Sequence, residues 1–204
     1  EINAGLVGSE MCIRDSRFAV LEMGARQAGD IEVLTAMAAP SVGIVTNAGP
    51  AHLETFGDIA GVAKAKGEMF SALAADGVAI LNADDDFSGE WRLRCGERKV
   101  ISFGRHELAD VRSDCTGPAC RIKTPKGDFD THLRLHGAHN VMNALAATAA
   151  AIALDVPLHA IASGLSGVEA ETGRLQYHTS AAGWTIIDDT YNANLTSSIA
   201  ALEY

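Results

Sequence analysis

The sequence predicts an α/β fold: a mostly parallel sheet flanked by helices, then a small antiparallel sheet, then the start of a second α/β domain. Three observations carry this expectation. Before residue 86, apolar runs and helical periods alternate three times, the pattern of parallel strands joined by helices. Residues 111–135 switch to short polar–apolar alternations, broken by Thr116-Gly117-Pro118 and Pro125-Lys126-Gly127, as hairpins are. After a polar stretch at 169–173, strand-like runs resume at 175–178 and 184–187, around a turn at Gly183. The domain boundary is placed near residue 172, giving a first domain over 17–171 and the beginning of another over 172–204.

Composition narrows the function. The 204 residues are 48% hydrophobic and 5% aromatic, with 20 glycines, which suits one close-packed α/β domain and part of a second. A net charge of −10 argues against a nucleic-acid groove, where clustered lysine and arginine must neutralise the backbone. It does not exclude nucleotides, whose phosphates metal ions and backbone N–H groups can hold. No apolar run reaches the roughly 18 residues that suggest a membrane span. Cys12, Cys95, Cys115 and Cys120 show neither zinc spacing nor a secreted-domain pattern. They read as free thiols of a cytoplasmic protein, with a Cys115–Cys120 disulfide as the minor alternative. Both ends read as cut. Residues 1–16 have no initiator methionine, no strand or helix period and no signal-peptide pattern, and the sequence stops inside a helix-like stretch at 197–203.

In chain order, residues 18–21 form a short strand that delivers Glu22 to its end, before the turn Gly24-Ala25. Carboxyl ends of strands are where ligands collect in such sheets. A weak helix opens at 29–32 and stops at Pro40; residues 42–45 are the next strand. The stretch 46–70, TNAGPAHLETFGDIAGVAKAKGEMF, then places His52 and Glu54 in a loop and starts a helix that Asp58 caps. At one hundred degrees per residue, Ile59, Val62, Phe70 and Leu73 lie within about 40 degrees of Lys66. Lys64 lies about 160 degrees away, beside Glu68 at i,i+4 for a solvated ion pair. Lys66 is therefore a lysine on an apolar stripe, where an ammonium is costly. Residues 78–81 are a buried strand running into Asn82-Ala83-Asp84-Asp85-Asp86, and 100–103 are another. Residues 138–154 are an alanine-rich helix of high propensity, and 158–165 a shorter one after Pro157.

Each candidate residue has a sharp reading and a plain one. Glu22 and His52, both following strands, suit Mg²⁺ or Mn²⁺ when phosphate oxygens complete the shell; alternatively they are an unconnected strand-end carboxylate and loop imidazole. Lys66 could reach a phosphate, take up CO₂ as a neutral amine to become a carbamate metal ligand, or simply extend its head to solvent. Asn140 and Asn143, at i,i+3 with His139 adjacent, could read a base edge or cap a neighbouring loop. Asp189 follows a strand, as ribose-binding carboxylates do, and clusters with Tyr191, Asn192 and Asn194; those asparagines could equally make Asx-turns. Arg174, just past the polar stretch, could reach a phosphate or clamp structure. No GxxxxGK[ST] phosphate loop occurs anywhere.

LEMGA (21–25), TNAGPAHLETFG (46–57), AKAKGEMF (63–70), LNADD (81–85), GAHNVMNALAA (137–147), GRL (173–175) and IIDDTYNAN (186–194) together resemble the Mur ligases. The branch they resemble most is the one that adds D-alanyl-D-alanine to UDP-N-acetylmuramoyl-tripeptide. The resemblance covers about residues 17–204; after Glu1-Ile2-Asn3 the residues up to Ser16 do not continue it. It implies a P-loop NTPase-like central domain, here without its phosphate loop, and the start of a Rossmann-like C-terminal domain. It further implies ATP and Mg²⁺ as cofactors, Glu22 and His52 as metal ligands, and Lys66 as a carbamylated ligand. Asn47, His139, Asn140 and Asn143 would lie on the nucleotide side, Arg174 near the phosphates and Asp189 at the ribose. Lys66 and Arg174 would serve catalysis. The expected partners are the UDP-linked tripeptide and D-alanyl-D-alanine, with no nucleic acid, for a monomeric cytoplasmic enzyme. The chain alone, lacking the loop, would be inactive. Rival readings are another Mur ligase or a folylpolyglutamate synthase-like enzyme, separated by the amine acceptor used, and a non-catalytic nucleotide-binding module, which would need neither the carbamate nor metals.

Overall fold

A computed structural model describes residues 4–6, 17–135, 137–191 and 198–199. The chain divides into two compact units, one ending at Ala109 and one beginning at Asp110. Residues 7–16, Asn192, Asn194 and most of the helix expected at 197–203 lie outside the described residues.

In the first unit, β3 (Val42–Val45), β4 (Val78–Asn82) and β5 (Lys99–Phe103) form a parallel sheet in that order. The central strand reads VAILN and is buried along almost its whole length, as a parallel strand covered by helices must be. Around the sheet come α1 (Asp30–Ala38), the single turn α2 (Leu53–Phe56), α3 (Ile59–Ala72) and α4 (Ser88–Cys95). The strand expected at 18–21 instead spans Leu21–Met23 as β2, pairing antiparallel with β1 (Ala4–Leu6) and not with the parallel sheet. Three residues are too few to display an alternation, so β1 left no trace in the pattern. α4 was equally silent: its buried residues are Trp91 and Cys95, one turn apart, too few to mark an apolar stripe.

These two residues nevertheless anchor the core. Trp91 is fully enclosed, lies edge-on to Phe70 at 6.4 Å between ring centroids, and donates its indole N–H to the Ala63 carbonyl at 2.9 Å. Gly67 permits this approach of α4 to α3, since a Cβ there would stand 3.0 Å from both Trp91 Cδ1 and Arg94 Cδ. Arg98 closes the end of α3 by donating Nε to the Leu73 carbonyl at 2.8 Å, with further bonds to Ala74 and Ser71 carbonyls, groups a helix end leaves without internal partners. Trp91→Ala should therefore cost about 3–5 kcal/mol, read as a lower urea midpoint at an unchanged slope. A loss below about 1 kcal/mol would show that this packing contributes little.

In the second unit, β6 (Arg112–Thr116), β7 (Ala119–Lys123) and β8 (Phe129–His132) make the expected antiparallel sheet. Gly117 and Gly127 occupy its turns at φ 60° and 121°, a region open to glycine without steric cost. α5 (Ala138–Ala153) and α6 (Leu158–Gly167) follow, then β9 (Gln176–Thr179) and β10 (Thr185–Asp188) as an antiparallel hairpin. Cys115 and Cys120 face one another in the β6–β7 register and form a disulfide, with Cα atoms 4.1 Å apart. This corrects the expectation of free thiols for that pair: a spacing of five becomes a cross-strand pair once the two-residue turn between them sets the register. Cys95 is a buried free thiol. Among the described residues no helix is long and apolar enough to cross a membrane.

Candidate functional site

One group of polar residues of the first unit gathers where β3 and β4 end. Past Val45 the sheet ladder stops, and side chains take over the backbone's hydrogen bonds. Asn82 Nδ2 donates to the Thr46 carbonyl at 2.9 Å, Lys66 Nζ donates to the Asn47 carbonyl at 2.7 Å, and the Ala48 amide donates to Asp85 Oδ2 at 2.8 Å. Lys66 and Asn47, both expected in the site, are thus in contact. His52 is exposed and stands at φ 50° as the residue before α2, a left-handed conformation uncommon outside glycine but several-fold enriched for histidine.

α3 holds Lys66 much as its period requires. Asp58 caps it, accepting from the Gly61 amide at 2.8 Å, and Gly61 must be glycine, since a Cβ would stand 2.1 Å from the Phe56 carbonyl oxygen. Val62, Phe70 and Leu73 are buried, Lys64 is exposed and Lys66 half-buried. Ile59 departs from the expected stripe at 40% exposed, because it opens the helix beyond the reach of the core. Burial pushes the Lys66 amine below the ordinary lysine range, partly opposed by the negative charge of Asp85. Glu68 does not serve Lys64 as expected. Its carboxylate accepts from the amides of Gly29 at 2.8 Å and Glu32 at 3.3 Å, so it supplies the acceptor that the start of α1 requires.

Glu22 lies within β2 with an exposed side chain, not at a bare strand end. Among the described residues, no three His, Cys, Asp or Glu side chains converge as a ready-made metal cluster. Of the expected ligands, the Glu22 carboxylate is of the oxygen type that suits Mg²⁺ completed by phosphate oxygens, while the His52 imidazole is a softer donor.

In the second unit, Gly137 at φ 93° starts α5, and His139, exposed, and Asn140 follow in its first turn. Asn143 Nδ2 donates to Asn140 Oδ1 at 3.2 Å, so the two amides share one face as predicted. The segment after α6 is stitched to the end of β10: the Tyr191 amide donates to the Gly173 carbonyl at 3.0 Å, and the Leu175 amide to Asp189 Oδ1 at 3.2 Å. The Arg174 guanidinium lies over the Tyr191 ring, 4.3 Å from its centroid, an attractive cation–π geometry. Arg174 and Asn140 line one cavity of about 280 Å³ together with Arg134, Glu169, Gln176 and His178. Arg134 and Glu169 pair across 2.8 Å. Sequence reading missed Asn82, Asp85, Arg134 and Gln176. For the first two there was a signal, namely polar residues just past a buried parallel strand.

Comparison with known proteins gives these arrangements a context. The family description "Mur ligase middle domain" matches residues 1–151, taking in the first 16 residues that the motif resemblance leaves out. The chain is 39% identical over 192 residues to UDP-N-acetylmuramoyl-tripeptide--D-alanyl-D-alanine ligase of Escherichia coli (strain K12), covering 91% of this chain and 42% of that protein. It is 35% identical to the protein of the same name from Bacillus subtilis (strain 168), covering 93% and 41%. It resembles the crystal structure of MurF from Acinetobacter baumannii with a TM-score of 0.82 and 37% identity, over 89% of this chain and 41% of that one. The chain thus spans less than half the length of these relatives.

Proposed function

The chain belongs to the Mur ligase family, and from that premise we propose that it is part of an ATP-dependent ligase of peptidoglycan synthesis. The reaction joins D-alanyl-D-alanine to UDP-N-acetylmuramoyl-tripeptide. Residues 17–171 belong to the central ATP-binding domain and 172–204 begin the C-terminal domain of a monomeric, cytoplasmic enzyme. The observation that carries this reading is Lys66, a half-buried lysine on the expected face of α3 whose amine meets the Asn47 carbonyl at the exit of β3.

In the proposed reaction, the terminal carboxylate of the tripeptide attacks the γ-phosphorus of ATP, forming an acyl phosphate and releasing ADP. The neutral amine of D-alanyl-D-alanine then adds to the acyl carbon and gives up a proton to solvent or phosphate, and collapse of the tetrahedral intermediate expels phosphate and leaves an amide. Glu22, His52 and carbamylated Lys66 would hold Mg²⁺, which offsets the negative charge of nucleotide and carboxylate as they meet. Asn47, His139, Asn140 and Asn143 orient the nucleotide, and Arg174 brings a guanidinium to the phosphates. Asp189 accepts hydrogen bonds from the ribose. The test is phosphate release by the full-length protein with ATP and the UDP-linked tripeptide, comparing D-alanyl-D-alanine with free amino acids and glutamate as acceptors. Turnover supported by a free amino acid, and not by the dipeptide, would move the protein to another branch.

Asp189→Ala in that protein should raise the ATP KM by about tenfold or more, the scale of a lost hydrogen bond to a charged group, with little change in kcat. Ribose contacts are made about equally in ground and transition states. A large fall in kcat at saturating ATP with KM unchanged would place Asp189 among the reacting groups instead.

A further inference from the structure

We propose that Asp85, acting with Asn82, is a positioning residue for this reaction: the two side chains fix the backbone of residues 46–48, from which Asn47 and Lys66 work. This inference rests on the proposed ligase function. It starts from the order of the contacts, since three consecutive residues are each held by a side chain from elsewhere: Thr46 by Asn82, Asn47 by Lys66 and Ala48 by Asp85.

The two side chains from the end of β4 are themselves held. Asn82 is only 8% exposed and accepts from the Asp84 amide at 2.9 Å, while donating to Thr46. Asp85 uses one carboxylate oxygen for the Phe87 amide at 3.0 Å and the other for Ala48 at 2.8 Å. The carboxylate is therefore a fixed bridge between the turn after β4 and the segment after β3. Beyond the last paired residue of a strand, backbone groups have no ladder partners and must find others; here those partners also determine where the Asn47 carbonyl meets the Lys66 amine. Asp85 need not touch substrate to act. Losing it would let residues 46–48 drift, and a displacement of an ångström in a reacting constellation costs about 100-fold in rate.

Two measurements on Asp85→Ala and Asp85→Asn test the assignment. In the present chain, amide hydrogen exchange should quicken at Ala48 by about tenfold, the scale of one lost hydrogen bond to a charged group, while Val45 and Leu81 keep their protection. In the full-length protein, Asp85→Ala should lower kcat by about 10–100-fold and raise the ATP KM, because Asn47 orients the nucleotide, with the thermal midpoint near wild type. Asp85→Asn keeps one side-chain oxygen for the two amides that Asp85 serves, so it should recover part of the lost kcat and protection. The assignment is overturned if Asp85→Ala turns over at the wild-type rate, if its loss of rate merely follows a loss of folded protein, or if Asp85→Asn restores Ala48 protection without restoring kcat. A wild-type full-length protein that forms no amide at all would refute the underlying function instead, before either variant is measured.

Discussion

Lys66→Ala in the full-length protein is expected to reduce ligase activity by at least about 100-fold, the scale of losing one electrostatic partner at a phosphoryl-transfer site. Lys64→Ala should stay within a few-fold of wild type. The two lysines share a helix and differ in phase: Lys64 is exposed, while Lys66 is half-buried and reaches the Asn47 carbonyl. Burial lowers the Lys66 amine's affinity for its proton, and only the neutral amine can attack CO₂, forming a carbamate and releasing a proton. The pH sign follows. Acidification converts the amine to ammonium, so the carbamate must be lost as pH falls. A carbamate nitrogen keeps one N–H, so the bond to Asn47 can persist after the charge at the far end has been reversed. Labelling with ¹³C-bicarbonate in the presence of Mg²⁺ should give a carbamate resonance that disappears in Lys66→Ala and remains in Lys64→Ala. Acetate should restore part of the Lys66→Ala activity by supplying a carboxylate beside the metal. A resonance that survives Lys66→Ala and is lost in Lys64→Ala would reverse the assignment. Full activity with no resonance in any sample would leave Lys66 an uncharged or phosphate-contacting lysine.

The second large effect concerns the 204-residue chain used alone. It is expected to fold yet release no phosphate above a buffer blank when given ATP, the UDP-linked tripeptide and D-alanyl-D-alanine. Its sequence contains no GxxxxGK[ST] loop, and such a loop surrounds the transferred phosphoryl group with backbone N–H donors and a lysine. Each preorganised donor of this kind contributes on the order of 100-fold to the rate, so a chain acting without that set is expected to show no measurable turnover. Far-UV circular dichroism of mixed α/β character should accompany the inactivity, separating a missing loop from a missing fold. Phosphate release dependent on both substrates would overturn this expectation and point to another phosphate cradle within the chain.

What could be read without coordinates is local in origin. The parallel runs at 42–45 and 78–81, the turns at Gly117, Gly127 and Gly183, the cap at Asp58 and the opposed phases of Lys64 and Lys66 all recur in the structure. Each is set within a few residues by periodicity, capping or φ preference. So is the i,i+3 pairing of Asn140 and Asn143. The rest depended on which distant segments meet. Glu68 could have paired with Lys64 four residues away; packing of α3 on α1 brought it the free amides of Gly29 and Glu32 instead. Those groups need an acceptor more than a solvated ammonium needs a partner. β1 and β2 found one another antiparallel, outside the main sheet, and α4 buries only Trp91 and Cys95. Asn82 and Asp85 read only as polar residues past a strand until the neighbouring strand's exit came to lie beside them. Neighbours along the chain set short-range hydrogen bonds such as the Asp58 cap, but a long-range partner is chosen by the fold, which alone decides which buried polar groups would otherwise go unpaired.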